Sequence, residues 1–267
     1  MYRLEASYRC ELFEKIAEMV WDDIAAHHHQ GIHRYETAVT NEIITIIREH
    51  HQVKNIALWA NNAVDEKVHG SDLDIFAESG TNEFYWYALQ AKVLTPGGRY
   101  TGISDKAQYT KLAKLEQLSG CIPYYVFYNG RSHPLPGVIT SCKHQVSEKQ
   151  MGCALVANHK MEGLIKSYPN LKYHDLHPTH ASPWRELVCC TTLRSGGTLY
   201  DLGQIKDAVS LYEGVVNADI VARGDNDAIT ASRGRRSAIG EANEAAGRQP
   251  KLTMVIRTTQ GLNQPSS

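Results

Sequence analysis

Asp72, Gln90 and Lys92 are the residues whose types and spacing best suit chemistry in this chain. They lie in two alternating segments, Asp72-Leu-Asp-Ile-Phe76 and Phe84 to Leu94, joined by the turn residues Ser79-Gly-Thr-Asn82, which together read as a β-hairpin. Side chains alternate across a strand. Asp72, Asp74 and Phe76 therefore share one face of the first strand, with Leu73 and Ile75 on the other. In the second strand Trp86, Ala88, Gln90 and Lys92 oppose Tyr87, Leu89, Ala91 and Val93. A turn centred on Thr81 sets Asp72 across from Gln90, because the two are equidistant from it. One face then gathers a carboxylate, an amide oxygen and a lysine amine, and the other is apolar enough to pack on helices. Oxygen donors of this kind suit a hard cation such as Mg²⁺ or Mn²⁺, which keeps several waters. Such an ion neutralises a phosphate and lowers the pKa of an attacking water. Lys92 can hold that water or stabilise the charge developing on phosphorus.

The elements around the hairpin must position these groups. Helical spacing over 35–49 puts Glu36, Thr40, Ile43 and Ile47 on one stripe. A carboxylate among isoleucines needs a cation or a charge partner, although Glu36 at a helix start also serves as a dipole partner. A longer helix is expected over 3–26, carrying Leu4, Tyr8, Leu12, Ile16, Val20 and Ile24, and it breaks at His27-His28-His29-Gln-Gly-Ile-His33. Consecutive histidines point in different directions, so this run reads as a polar helix end stopped by Gly31. Strands are expected over 55–60 and 122–128, a polar loop over 61–70, and a helix over 106–118 with Tyr109 and Gln108, a candidate for contact with nucleic acid, near its start. In the loop over 95–105, Arg99 is placed to contact a phosphate. Tyr100 either stacks on a base or sits at the edge of the core.

Asp72…Gln90-Ala-Lys92, with a helix glutamate before it and a helix and strand after it, resembles the PD-(D/E)xK nuclease superfamily. It is closer to the variant in which QxK replaces (D/E)xK, as in Mrr-like restriction endonucleases. Glu36-x-x-x-Thr40-Asn41, Gly70-Ser-Asp72-Leu, Leu89-Gln-Ala-Lys92, Gln108-Tyr109 and Pro123-Tyr-Tyr125 are also similar to an uncharacterised bacterial group within that superfamily. The resemblance covers about residues 34–130. It implies an α/β restriction-endonuclease-like core, a mixed sheet flanked by helices. It implies that Asp72 ligates the metal, that Gln90 takes the second ligand position, that Lys92 is the catalytic lysine, and that Glu36 completes the metal shell directly or through water. Two departures stand out. Gln90 is neutral, which makes Glu36 more valuable, and Asp74 is a second candidate ligand one pleat beyond Asp72. The glycine before the motif and the pairing with Gln90 favour Asp72.

The implied activity is Mg²⁺- or Mn²⁺-dependent hydrolysis of nucleic acid, DNA ahead of RNA, in a setting such as defence against phage or mobile DNA. Two rivals remain open. One is an inactive module of the same fold that binds nucleic acid or a protein, and the other is a hydrolase of nucleotides or small phosphoesters. The formal net charge is −1, so affinity for a polyanion must come from a local patch. Arg223, Arg233, Arg235 and Arg236 in the Gly- and Ala-rich stretch 222–248 offer one, against the alternative of a solvated loop. The six cysteines show no CxxC pairing and Cys189-Cys190 are adjacent, which reads as reduced thiols in a cytoplasmic protein. His174, His177 and His180 lie in a Pro-containing stretch and read as surface. Charges at Arg3, Glu5, Arg9 and Glu11 exclude a signal peptide, and no run approaches a membrane span. The expected organisation is an N-terminal helix over 1–30, a nuclease-like core over 31–200, and a C-terminal region over 201–267 with a helix, the basic loop and a closing strand at 252–257. Within the core, apolar segments at 153–157 and 186–192 read as a helix start and as a helix or strand, and residues 200–215 as a helix. Self-association as a homo-oligomer is compatible with all of this.

Overall fold

The computed structural model describes residues 2–54, 71–80, 83–103, 106–131, 146–189, 197–201, 204 and 253–256. The helices α1 (Tyr2–His29) and α2 (Glu36–Lys54) precede the hairpin strands β1 (Leu73–Gly80) and β2 (Glu83–Val93). Then come α3 (Lys106–Ser119), β3 (Ile122–Tyr128), a 3₁₀ turn (Glu148–Gly152), β4 (Cys153–Ala157), α4 (Asn158–Ser167), α5 (Tyr173–Leu176), β5 (Ser182–Pro183), α6 (Glu186–Cys189), β6 (Leu199–Asp201) and β7 (Thr253–Ile256). The expected strand at 55–60, the turn residues 81 and 82, residues 205–215 and the basic stretch 222–248 lie outside the described residues.

The strands form one mixed sheet in the order β5-β4-β3-β2-β1-β7, and β6 pairs with the first residues of β2. The hairpin register matches the turn-centred expectation: Leu73 faces Leu89 and Asp74 faces Ala88, which sets Asp72 opposite Gln90. α3 provides the crossover that lets β3 run parallel to β2. Alternation along β1, β2 and β3 sorts the core into two layers. Leu73, Ile75, Tyr87, Leu89, Ala91, Val126 and Tyr128 pack with α1, α2 and α6. Phe76, Trp86, Ala88, Tyr125 and Phe127 pack with α3 and α4. The chain is thus an α/β fold with a mixed sheet flanked by helices.

Several expectations need correction. α1 is no appendage, since Phe13, Ile16, Ala17, Val20 and Ile24 are buried in the first layer. The expected closing strand at 252–257 is present as β7, which pairs in parallel with β1 and so ties the C-terminal region to the core. Cys153–Ala157 is a strand, bonded to β3, and not a helix start. Leu199–Asp201 is likewise a strand, bonded to β2.

The cysteine reading also changes, for Cys10 and Cys189 form a disulfide between residues 179 apart in sequence. It belongs to a clasp between α1 and α6. Trp184 Nε1 donates to the Phe13 carbonyl at 2.8 Å, its ring lies 4.3 Å from that of Phe13, and Arg185 pairs with Glu14. A crosslink closing so long a loop constrains the unfolded chain strongly, by ~2–5 kcal/mol. The double variant Cys10→Ser/Cys189→Ser is therefore expected to lose stability on that scale in urea. A midpoint equal to that of the oxidised wild type would show that the bond does not form in solution.

Candidate active site

Asp72 stands just before β1, where the strand enters the sheet, and is buried at 7% exposure. Its backbone N–H donates to the Leu89 carbonyl at 2.7 Å. Its Oδ2 accepts from the Ala91 backbone N–H at 2.9 Å and from Gln90 Nε2. The carboxylate therefore ends the ladder by taking an amide that a longer β1 would have bonded, and it holds Gln90 at the same time. Gln90 is buried, and its Nε2 also lies 3.4 Å from the Ala91 carbonyl. Asp74 is fully buried, flanked by Ala88 of β2 and Thr253 of β7, with Ser71 Oγ 3.5 Å from its Oδ1. Being walled in by strands on both sides, Asp74 is the less accessible of the two acids.

Lys92 follows Gln90 on the same face of β2, is 4% exposed, and sets Nζ 3.9 Å from Glu36 Oε1. Glu36 is the first residue of α2 and is partly exposed. It opens the stripe on which Ile43 and Ile47 are buried. The structure thus gives two contact pairs, Asp72 with Gln90 and Glu36 with Lys92.

Tyr128, at the end of β3, joins the Glu36 side of the site through Thr40 and was not anticipated as a site residue. Thr40 Oγ1 donates to the Glu36 carbonyl at 2.8 Å, and the Tyr128 hydroxyl lies 3.1 Å from Thr40 Oγ1. With the threonine proton committed, the phenol donates to Thr40. Burial pushes the Tyr128 phenol well up, with smaller upward contributions from Cys153, Asp72 and Glu36. The only trace of this role in the sequence is the recurrence of Thr40 one turn after Glu36.

Of the residues expected to meet nucleic acid, Arg99 is exposed and Gln108 is half-buried. Tyr100 is a correction. It is buried, packs edge-on against Phe127 at 4.7 Å and donates its hydroxyl to Asn129, so no base can stack on it. Its loop nonetheless matters, because Gly102, at φ +67°, lies over the lysine: a Cβ there would sit 3.9 Å from Lys92 Nζ.

The histidines divide. In the 27–33 run His27 Nδ1 donates to the Asp23 carbonyl at 2.8 Å, His28 Nε2 to the Leu94 carbonyl at 3.0 Å, and Gly31 takes φ +73° as the helix stop. His174 is exposed as expected. His177 is not on the surface: it is buried against Tyr173 at 4.2 Å, and burial with the nearby Arg131 guanidinium pushes its pKa down to about 3. Among the described residues no group of three or more His, Cys, Asp or Glu side chains is placed to hold a metal ion, and no helix is long and apolar enough to cross a membrane.

A family model described as a family of unknown function matches residues 9–259. No curated protein matches the chain, and no solved structure does.

Proposed function

The chain belongs to that family, DUF6615, and we propose that it is a Mg²⁺- or Mn²⁺-dependent nuclease of the PD-(D/E)xK type, with DNA the preferred substrate. The observation that carries this reading is the contact of Asp72 with Gln90 across the hairpin, with Lys92 next along the same face and turned to Glu36. Three buried polar side chains on one sheet face, with the partly exposed Glu36 beside them, need a reason to be retained, because burial of charge costs free energy.

The donors fit a hard cation. Asp72, Asp74, Glu36 and the Gln90 amide offer only oxygen, and no thiolate or imidazole is set among them. They do not close into a cage of three acids, which suits an ion held by one or two carboxylates, waters and the substrate's own phosphate. Asp72 and Gln90 would hold it, with Glu36 in support. Half a turn of the Gln90 amide exchanges its nitrogen for its oxygen, so the side chain that donates to Asp72 in the free protein can also present an oxygen beside it. The bound ion would supply charge neutralisation and an acidified water. Lys92 directs its amine at a phosphate oxygen as the water oxygen bonds to phosphorus and the bond to the departing sugar oxygen breaks. Glu36 keeps that amine aimed.

A second reading, an inactive module of the same fold, draws on the near-complete burial of Asp72, Gln90 and Lys92. A plasmid-nicking assay separates the two. Wild type with Mg²⁺ is expected to nick, while EDTA abolishes nicking and Lys92→Ala slows it by about 100-fold or more. Equal nicking by wild type and Lys92→Ala would remove the lysine from the mechanism. Absence of nicking on any DNA or RNA would leave the module.

A further inference from the structure

The near-neutral chain hides a strong segregation of charge between its two helical layers. Over residues 8–49, in α1 and α2, the side chains described carry three cations against eight acids, a net of −5. Of these acids Glu14, Asp22 and Glu36 are met by Arg185, Lys149 and Lys92 from other elements. The opposite layer is the reverse. In the loop after β2, in α3 and in residues 158–176, the cations Arg99, Lys106, Lys111, Lys114, Lys160 and Lys172 are all exposed. Among the described residues Glu116 and Asp175 stand against them, a formal +4 once Lys166 and Glu162, paired at 2.7 Å, are set aside. Asp175 is further committed, accepting from the Lys172 backbone N–H at 2.8 Å.

The arrangement is ordered by the fold. At 3.6 residues per turn, Lys106, Lys114 and Lys111 fall within roughly 140° of one another on α3, opposite the buried Leu112 and Leu115. α4 packs beside α3 and extends this surface with Lys160. The other end is held by backbone pairing between Arg99 and Lys172, with Tyr100 N–H donating to the Leu171 carbonyl at 3.0 Å. That pairing sets Lys172 beside Arg99, which lies on the loop whose Gly102 is over Lys92. The basic surface therefore leads to the candidate site, to which the acidic layer contributes Glu36.

We propose that the outer face of α3 and α4, continued by the 95–103 loop, docks the phosphate backbone of the nucleic acid on which the Asp72–Lys92 site acts. This inference rests on the nuclease reading for its substrate and adds where that substrate lies. Phosphate contacts position a nucleic acid without reading its bases, and they release counterions, so affinity falls with salt in proportion to the phosphates neutralised.

The test is fluorescence anisotropy with a fluorescein-labelled DNA duplex in EDTA, where no cleavage occurs. Wild type is expected to bind with a log–log salt slope of about −4. The triple reversal Lys111→Glu/Lys114→Glu/Lys160→Glu changes only exposed positions, so it should keep the wild-type circular dichroism. It is expected to weaken binding by on the order of 100-fold and to flatten the slope by about 3. Lys15→Glu, exposed on α1, is the control and should bind like wild type. Unchanged binding by the triple variant, an equal loss in the control, or wild type that binds phosphatidylserine vesicles but no nucleic acid would each overturn the proposal. The two readings fail separately. Salt-dependent binding through this face by a protein that never cleaves removes the nuclease and keeps the surface. Cleavage with an unchanged KM in the triple variant removes the surface and keeps the nuclease.

Discussion

Asp72→Ala is expected to abolish metal-dependent cleavage while nucleic-acid binding survives or tightens. The substitution deletes the one carboxylate at the mouth of the hairpin, and with it the acceptor of both the Ala91 amide and Gln90. Loss of activity should be at least about 1,000-fold, the scale on which removal of a group acting at the transition state is felt. Gln90→Glu is the companion measurement, because its effect changes sign with metal. Without a cation it puts a second carboxylate where an amide now donates to Asp72, and like charges so close disfavour the ionised pair. Gln90→Glu should therefore melt below wild type in EDTA and be raised by Mg²⁺ more than wild type is. It should also retain activity and need less Mg²⁺. A variant indifferent to Mg²⁺ in melting temperature would rule out a shared ion between positions 72 and 90, whatever its activity. Asp72→Ala that cleaves normally would rule out the ligand assignment altogether.

Gly152→Ala is expected to destabilise the fold by ~3 kcal/mol, at the upper end for forcing a methyl into a packed interior. Gly152 ends the 3₁₀ turn directly against the middle of α1. A Cβ there would lie 1.9 Å from the Ala17 carbonyl oxygen and 2.8 Å from the Trp21 nitrogen, both backbone atoms that no rotamer change can move. To admit it, α1 must shift away, loosening the buried Phe13, Ile16 and Val20 together. The chain supplies its own control in Gly163 on α4, where nothing lies within 4 Å of an added Cβ. Gly163→Ala should stabilise by about 0.5–1 kcal/mol through the better helix propensity of alanine. Opposite shifts in urea midpoint for the two alanines check the packing of α1. A Gly152→Ala protein as stable as wild type would place that helix further from the turn.

Much of the candidate site was legible because it is local. Asp72 and Gln90 are tied through a single hairpin, so alternation and one turn residue are enough to set them opposite, and the same alternation separates Tyr87 and Leu89 from Ala88 and Gln90. Glu36 was readable from helical spacing alone. What was not legible depends on long-range pairing. Cys153–Ala157 is an apolar run too short for its period to distinguish strand from helix, and only its ladder with β3 decides. Cys10 finds Cys189 through the docking of α1 on α6, which no spacing reports. Tyr100 and His177 carry polar tips that suggest a surface, yet both are buried, Tyr100 bonded to Asn129 and His177 stacked on Tyr173. The separation of charge between layers is invisible in a total of −1, since it arises only when α1 and α3 are placed on opposite sides of one sheet.

The pairing of β7 with β1 has a consequence for the chain while it is being made. Thr253–Ile256 leaves the ribosome roughly 170 residues after Gly80, which at ~5–20 residues per second is about 10–35 s. Until then the outer edge of β1 presents its amides and carbonyls with no strand to meet them, and bare edges of this kind recruit strands from neighbouring chains. The edge is not undefended, because Asp74 opens that ladder, opposite Thr253. A carboxylate carried inward on an open strand makes pairing with a foreign apolar strand costly. The acid that is a secondary candidate for the site in the finished protein can thus protect the nascent one, guarding the place that β7 will occupy.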